Sequence, residues 1–203
     1  MVKKMELNEI KAVLASASPR RKELIGVIFN EVVIRPAPCD ETLPEGIGAR
    51  EAVEYLSKIK NEAASECASR DELIISADTV VSVDEKILGK PVDKDDARNM
   101  LRLLSGRLHQ VYTGVTLSFN GRERTFSEKT DVEFFSLTEE EIEEYISSDE
   151  PYDKAGSYAI QGKASVLIKG INGDYFNVVG LPVARLKREI QAFIGMIENS
   201  GDI

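Results

Sequence analysis

Two runs of β-branched and aromatic residues, His109 to Phe119 and Arg122 to Phe135, are separated by Asn120-Gly121. Asn-Gly readily supplies the positive-φ pair of a two-residue turn, which makes this the strongest short-range hairpin signal. A hairpin therefore dominates the middle of the chain. Upstream, strand-like and helix-like segments alternate. Ile10 to Ser16 is short, apolar and bounded by a turn signal, as a buried strand is. Ser18 suits an N-cap and Pro19 the first helical position, so a short helix follows and Gly26 ends it. Arg35 to Gly48, with Pro36, Pro38, Pro44, Gly46 and Gly48, reads as loop. Ala49 to Ala68 is an amphipathic helix whose apolar spacing runs through Val53, Leu56, Ile59, Ala63 and Cys67. Leu73 to Val83 is a second buried strand, interrupted by Ser76-Ala-Asp-Thr79. Alternation followed by a hairpin predicts an α/β fold with a mixed sheet.

Asp93 to Leu104 is a helix with Ala97, Met100, Leu101 and Leu104 on one face, stopped by Gly106. Thr138 starts another, with Glu141 as its capping-box partner. Lys163 to Ile168 and Tyr175 to Val179 read as a strand pair around Gly173-Asp174. Pro182 opens a C-terminal helix with Val183, Leu186, Ile190, Phe193 and Ile197 inward, and the tail from Asn199 is expected to fray. No repeat, low-complexity tract or clean linker divides the chain. Its 203 residues suit one domain spanning 1–203, with room for two lobes.

Composition removes several classes of function. The chain is 42% hydrophobic and 30% charged, enough to build a core. No apolar run approaches the ~18 residues of a membrane span. Met1 to Lys11 lacks the apolar stretch of a secretory signal, so the cytoplasm is the expected compartment. Cys39 and Cys67 stand alone and there is one His, which argues against a disulfide scaffold or a zinc site. The net charge is −9, from 26 basic and 35 acidic residues, the wrong balance for a general nucleic-acid binder. The charge is uneven, however: Lys3, Lys4, Lys11, Arg20, Arg21 and Lys22 face only Glu6 and Glu9 in the first 22 residues. A local site for a small anion fits inside the acidic whole. The acidic stretch 138–150 reads as a solvated helix face.

Several segments have the residue types that chemistry needs. Ser16-Ala-Ser-Pro-Arg20-Arg21 joins a strand to a helix start, with hydroxyl donors and two guanidinium forks that match phosphate oxygens. It is not a Walker loop, and an ordinary capped helix with two surface arginines would read the same. Asp78, in an apolar strand, is costly unless paired, solvated or metal-bound. It suits Mg²⁺ binding, a general base, or a purely structural hydrogen bond. Asp40 and Glu41 in the proline-rich loop are able to complete a carboxylate site. Lys90, before Pro91, and Lys60, on the long helix, are candidate phosphate contacts, though each also reads as an ordinary surface lysine. Asp153 to Gly162 is a Gly-rich polar loop in which Gln161 offers a donor and an acceptor, as reading a base edge requires. The lone His109 has no nucleophile motif beside it and reads as structural.

Taken in order, nine segments resemble the Maf family of nucleoside triphosphate pyrophosphatases: Leu14 to Arg21, Asp40-Glu41, Lys60, Ala77 to Val80, Lys90-Pro91, Leu104 to Gly114, Asp153 to Gly156, Ile160 to Gly162 and Val179 to Pro182. The resemblance implies a Maf/ITPase-like α/β fold: a long, mixed, twisted sheet flanked by helices, in two lobes with a central cleft. It implies hydrolysis of a nucleoside triphosphate to the monophosphate and pyrophosphate, a divalent metal (Mg²⁺ or Mn²⁺), and a homodimer. In that resemblance Asp78 matches the proton acceptor. Ser16, Arg20, Arg21, Lys60 and Lys90 match the phosphate site, and Glu41 joins Asp78 as a metal carboxylate. Arg20, Thr79 and Gln161 match the positions tied to substrate choice. The paired arginines and Ile-Gln-Gly resemble the branch acting on dTTP, UTP and modified pyrimidine triphosphates. The competing readings are a nucleotide-binding regulator of septum formation with little turnover, and the sister branch acting on 7-methyl-GTP. Neither nucleic acid nor membrane is an expected partner.

Overall fold

The computed structural model describes residues 7–200 and shows a mixed sheet of seven strands flanked by helices. Lys3 and Lys4 of the basic N-terminal stretch lie outside the described residues. In chain order the elements are β1 (Lys11–Leu14), α1 (Pro19–Ile25), β2 (Val32–Ile34), α2 (Ala49–Ser65), β3 (Glu72–Val83), β4 (Lys86–Leu88), α3 (Lys94–Leu104), β5 (Leu108–Phe119), β6 (Arg122–Phe134), α4 (Glu139–Ile146), β7 (Ile168–Asn172), α5 (Tyr175–Val179) and α6 (Val183–Ser200). The strand order is β2-β1-β3-β5-β6-β7, with β4 also on β3. The β2, β1 and β3 strands are parallel, and every other pairing is antiparallel. The central hairpin forms as its turn chemistry dictates, with positive φ at both Asn120 and Gly121.

Strand β3 decides where a ligand can enter. Along one edge β5 pairs with it from Ile74 to Ser82. Along the other, β1 covers Glu72 to Ile75 and β4 covers Val81 to Val83. Between them, residues 76–80 have no strand partner on that side. The break falls where parallel β1 and β2 end, and the loops leaving those strands carry Ser16 to Arg21 and Glu41. In open α/β sheets the carboxyl ends of parallel strands are where crevices form.

Alternation along β3 sends odd and even residues to opposite faces. On the odd face Ile75 and Ala77 belong to one apolar core, built with Leu24 and Ile25 of α1 and Leu186, Ile190 and Phe193 of α6. Val81 and Val83 belong to a second, with Leu101 and Leu104 of α3 and Ile142 and Ile146 of α4. Thr79 lies between the two. The even face is covered by α2, whose contact combines apolar side chains with a set of hydrogen bonds. Ser76 Oγ donates to Ser57 O (2.6 Å), Ser57 and Thr116 hydroxyls meet at 2.9 Å, and Asn61 Nδ2 donates to Thr116 O (3.0 Å).

Several expectations need correction. Residues 76–79 do not interrupt β3, because the cost of Asp78 is met by a lysine from α2. The buried face of α2 runs through Ala52, Val53, Leu56, Ser57, Asn61 and Ala64 instead of ending on Cys67, which is exposed. Small and hydrogen-bonding residues let this helix lie close to the sheet, so apolar spacing alone misplaces its face. Tyr175–Val179 is a helix, not a strand: Asp174 caps it by accepting from Phe176 N at 2.8 Å. Its expected partner, Lys163–Leu167, is a 3₁₀ turn leading into β7, which pairs with β6. Asn199 is still helical, since α6 continues to Ser200, and residues 201–203 lie outside the described residues. The capping box at Thr138 is present, with Glu141 N on Thr138 Oγ1 (3.2 Å) and Thr138 N on Glu141 Oε2 (2.7 Å).

Candidate active site

The open stretch of β3 is where the candidate residues gather. Asp78 points from the even face toward α2, where Lys60 Nζ bonds its Oδ1. The same ammonium lies 2.9 Å from Glu41 Oε2, from the loop after β2. Lys60 and Asp78 are nearly enclosed, at 16% and 13% side-chain exposure, while Glu41 is open at 56%. Burial pulls the lysine's pKa down, but Asp78 and then Glu41 outweigh it and hold the ammonium above its usual value. Lys60 is thus a fixed cation, unsuited to proton abstraction. It occupies one Asp78 oxygen and leaves the other without a hydrogen bond among the described residues. The Cys39 thiol lies near this cluster, its pKa raised by partial burial and by Glu41.

The reach of Lys60 depends on a glycine. Gly114 of β5 is the register partner of Asp78. A Cβ there would stand 2.2 Å from Val53 O and 2.8 Å from Glu54 N. Only a glycine lets the backbone of α2 pass this close to the sheet beside Asp78.

On the other face Arg21 closes the strand edge. Its Nε donates to Gly180 O (2.9 Å), Nη1 to Ala77 O (2.8 Å) and to Ser16 Oγ (3.4 Å), and Nη2 to Thr79 Oγ1 (3.0 Å). Four of the five guanidinium hydrogens are therefore engaged by protein. Burial lowers its pKa, with Asp78 and Glu41 opposing. Arg21 acts mainly as a strut and retains one N–H for a ligand. Arg20 is oriented differently. It is partly buried, its pKa lowered by desolvation and supported chiefly by the charge of Glu150. The Glu150 carboxylate also accepts from Tyr145 Oη (3.0 Å), Lys163 N (3.0 Å) and Ala164 N (3.2 Å), and so anchors the turn after Gln161.

The structure thus joins Asp78, Lys60 and Glu41 in one cluster and Ser16, Arg21 and Thr79 in a second across the strand edge. Lys90 and Gln161 are exposed and make no direct contact with either. Lys90 is tethered indirectly, since Gly156 N donates to the preceding Gly89 O at 2.9 Å. Three contributors were not among the candidate residues, although Thr113 and Gly114 fall inside the Leu104–Gly114 segment. Gly114 is one, and the others are Thr113 and Asn177, which brace Thr79 from below: Thr113 Oγ1 bonds Thr79 Oγ1 (2.9 Å) and Asn177 O (3.0 Å). His109 is buried in the second core, with its Nε2 2.8 Å from Tyr158 Oη, in keeping with a structural role.

Two carboxylates converging on one cationic position are hard oxygen donors of the kind Mg²⁺ and Mn²⁺ take. Among the described residues no three His, Cys, Asp or Glu side chains form a metal-holding group. The pair therefore fits an ion that takes most of its ligands from phosphate oxygens and water, and Lys60 marks where positive charge is accepted.

A carboxylate, fixed cations and an open strand edge lie together on an α/β sheet, an arrangement with the charge and access to receive a small polyanion. Residues 11–193 match the Maf-like protein family, and the chain belongs to that family. Among its relatives, one from Agathobacter rectalis called dTTP/UTP pyrophosphatase is 52% identical over 195 residues, covering 88% of this chain and 95% of the relative. A protein of the same name from Bacillus cereus is 47% identical over 183 residues, covering 90% and 95%. Among solved structures, the Staphylococcus aureus Ham1 protein aligns at 17% identity with a TM-score of 0.44, covering 61% of this chain and 71% of that one. A Mycobacterium abscessus nucleoside-triphosphatase, dITP/XTP pyrophosphatase, aligns at 13% identity with a TM-score of 0.43, covering 94% and 97%.

Proposed function

We propose that this protein is a metal-dependent nucleoside triphosphate pyrophosphatase. It hydrolyses dTTP, UTP and modified pyrimidine triphosphates to the monophosphate and pyrophosphate. The observation that carries the reading is the Asp78–Lys60–Glu41 cluster at an unpaired strand edge, flanked by Arg21. The names of relatives about half identical over most of the chain supply the reaction and the bases.

In this mechanism the free Asp78 oxygen takes a proton from water attacking the α-phosphorus. Lys60 holds the other oxygen and keeps the carboxylate aimed. Asp78 and Glu41 would hold Mg²⁺ or Mn²⁺, which offsets phosphate charge and eases departure of pyrophosphate. Ser16, Arg20, Lys90 and the remaining N–H of Arg21 bind phosphate oxygens, where charge builds on the leaving group. Arg20, Thr79 and Gln161 set substrate choice, and Glu150, whose charge supports Arg20, holds the backbone that follows Gln161. The enzyme is a cytoplasmic homodimer acting on a small molecule and not on nucleic acid, in keeping with its net charge of −9. No helix among the described residues is long and apolar enough to cross a membrane.

The test is a panel of dTTP, UTP, 7-methyl-GTP and purine triphosphates with Mg²⁺, Mn²⁺ or EDTA, in which pyrophosphate and monophosphate are both quantified. Equimolar pyrophosphate and monophosphate from dTTP and UTP, lost in EDTA, is the expected result. Inorganic phosphate in place of pyrophosphate would place water on another phosphorus and overturn the mechanism.

A further inference from the structure

We infer that Thr113 and Asn177 fix the hydroxyl of Thr79 as an acceptor, so that the site demands an N–H or O–H from the nucleoside part of its substrate. The inference rests on the pyrophosphatase reading and deepens it. Thr113 Oγ1 lies 3.0 Å from the backbone oxygen of Asn177, which can only accept, so the single Thr113 proton is committed there. The 2.9 Å contact between Thr113 and Thr79 hydroxyls must then be a donation from Thr79. Arg21 Nη2, which can only donate, occupies one Thr79 lone pair at 3.0 Å. One lone pair is all that Thr79 has left. An incoming group that meets it has to bring a hydrogen.

Ser16, at the other end of the same guanidinium, has the opposite polarity. Its oxygen accepts from Ser18 N (3.2 Å) and from Arg21 Nη1 (3.4 Å), so its proton remains to be given. An ionised phosphate oxygen is welcome at Ser16 and repelled at Thr79. Arg21 therefore separates a phosphate end from a nucleoside end.

The relay is rigid. Asn177 is fully buried, and its Nδ2 donates to Val111 O and Thr130 Oγ1, both at 3.0 Å, so the carbonyl that sets the order cannot swing. Gly180 keeps the flank of Thr79 uncovered, since a Cβ there would stand 3.6 Å from Thr79 Oγ1. The matching donor is the N3–H of uracil or thymine, or a sugar hydroxyl. Cytosine presents a lone pair at N3 and should be refused if N3 of the base is what Thr79 meets. Thr113 and Asn177 are positioning residues in this account.

The experiment measures kcat/KM for pyrophosphate release from UTP, CTP and 3′-deoxy-UTP by wild type, Thr113→Val and Thr113→Ser. Wild type should favour UTP by at least about tenfold over CTP if N3 of the base supplies the hydrogen, or over 3′-deoxy-UTP if the sugar does. Thr113→Ser keeps the relay and should keep that ratio. Thr113→Val frees the Thr79 proton and should bring the ratio to within about threefold of unity. A merely structural Thr113 would lower all substrates alike. An unchanged ratio in Thr113→Val, or no discrimination by wild type on either arm, overturns the inference. Should the valine variant not fold, an absence of discrimination by wild type still overturns the inference. Failure to release pyrophosphate from any substrate overturns the pyrophosphatase reading itself, a separate result.

Discussion

Gly114→Ala tests whether the closeness of α2 to the sheet is what brings Lys60 to Asp78. The added methyl carbon would begin 2.2 Å from Val53 O and 2.4 Å from Val53 C, both backbone atoms that no rotamer change can remove. Restoring an ordinary carbon–oxygen separation of ~3.3 Å requires α2 to retreat by about 1 Å. Overpacking of this kind costs about 1–3 kcal/mol. For a chain of this size that lowers Tm by about 2–4 °C per kcal/mol. The same retreat draws Lys60 away from the Asp78 carboxylate, and a misplacement of ~1 Å at a reacting group can cost about 10²-fold in rate. Thermal melting and steady-state pyrophosphate release on the same preparation read both effects. Gly195→Ala serves as the control: that glycine lies in α6 with nothing within 4 Å of a built Cβ, so the change should be neutral or slightly stabilising. Wild-type Tm and wild-type kcat/KM in Gly114→Ala would refute the argument.

Two further outcomes follow from the geometry. Asp78→Asn removes the proton acceptor but keeps a polar group for Lys60, so pyrophosphate release should fall by about 10²–10⁴-fold while calorimetry still detects nucleotide binding; substantial turnover in this variant would remove Asp78 from its assigned role. Burial pushes the pKa of His109 down to about 4. The folded state then binds fewer protons than the unfolded one between pH ~6.5 and ~4, so stability should decline as the pH is lowered through that window, by up to about 3 kcal/mol. Melting curves at pH 7 and pH 5 should show a steeper loss for wild type than for His109→Gln, which does not titrate. Equal slopes would contradict the buried neutral imidazole.

The parts of the fold that were legible in the sequence are those specified by neighbours along the chain. Asn120-Gly121, the Thr138–Glu141 box and Ser18-Pro19 each act over a few residues, and each forms the expected turn or cap. Tyr175–Val179 reads as a strand because four of its five residues are apolar or aromatic and suit a strand as well as a helix, and only the Asp174 cap decides between them. Asp78 looked like a break in β3 because its compensation comes from residue 60 on another element, which local pattern does not reveal. The chemistry of the site was legible as residue types at motif positions. Its division was not: nothing in the order Arg20-Arg21 says that one guanidinium is largely engaged by backbone and hydroxyl oxygens while its neighbour is supported by the charge of Glu150. Nor does the single glycine of β5 announce that a helix will lie against it.

The unpaired length of β3 has a hazard of its own. Amides and carbonyls left bare along a strand invite a foreign chain to pair with them. Here the opening is only as long as the gap between β1 and β4, and Arg21 corks it by taking the Ala77 carbonyl. Removing that guanidinium would therefore uncork a sticky seam as well as subtract a phosphate contact, and the first symptom of losing it would be clumping during folding.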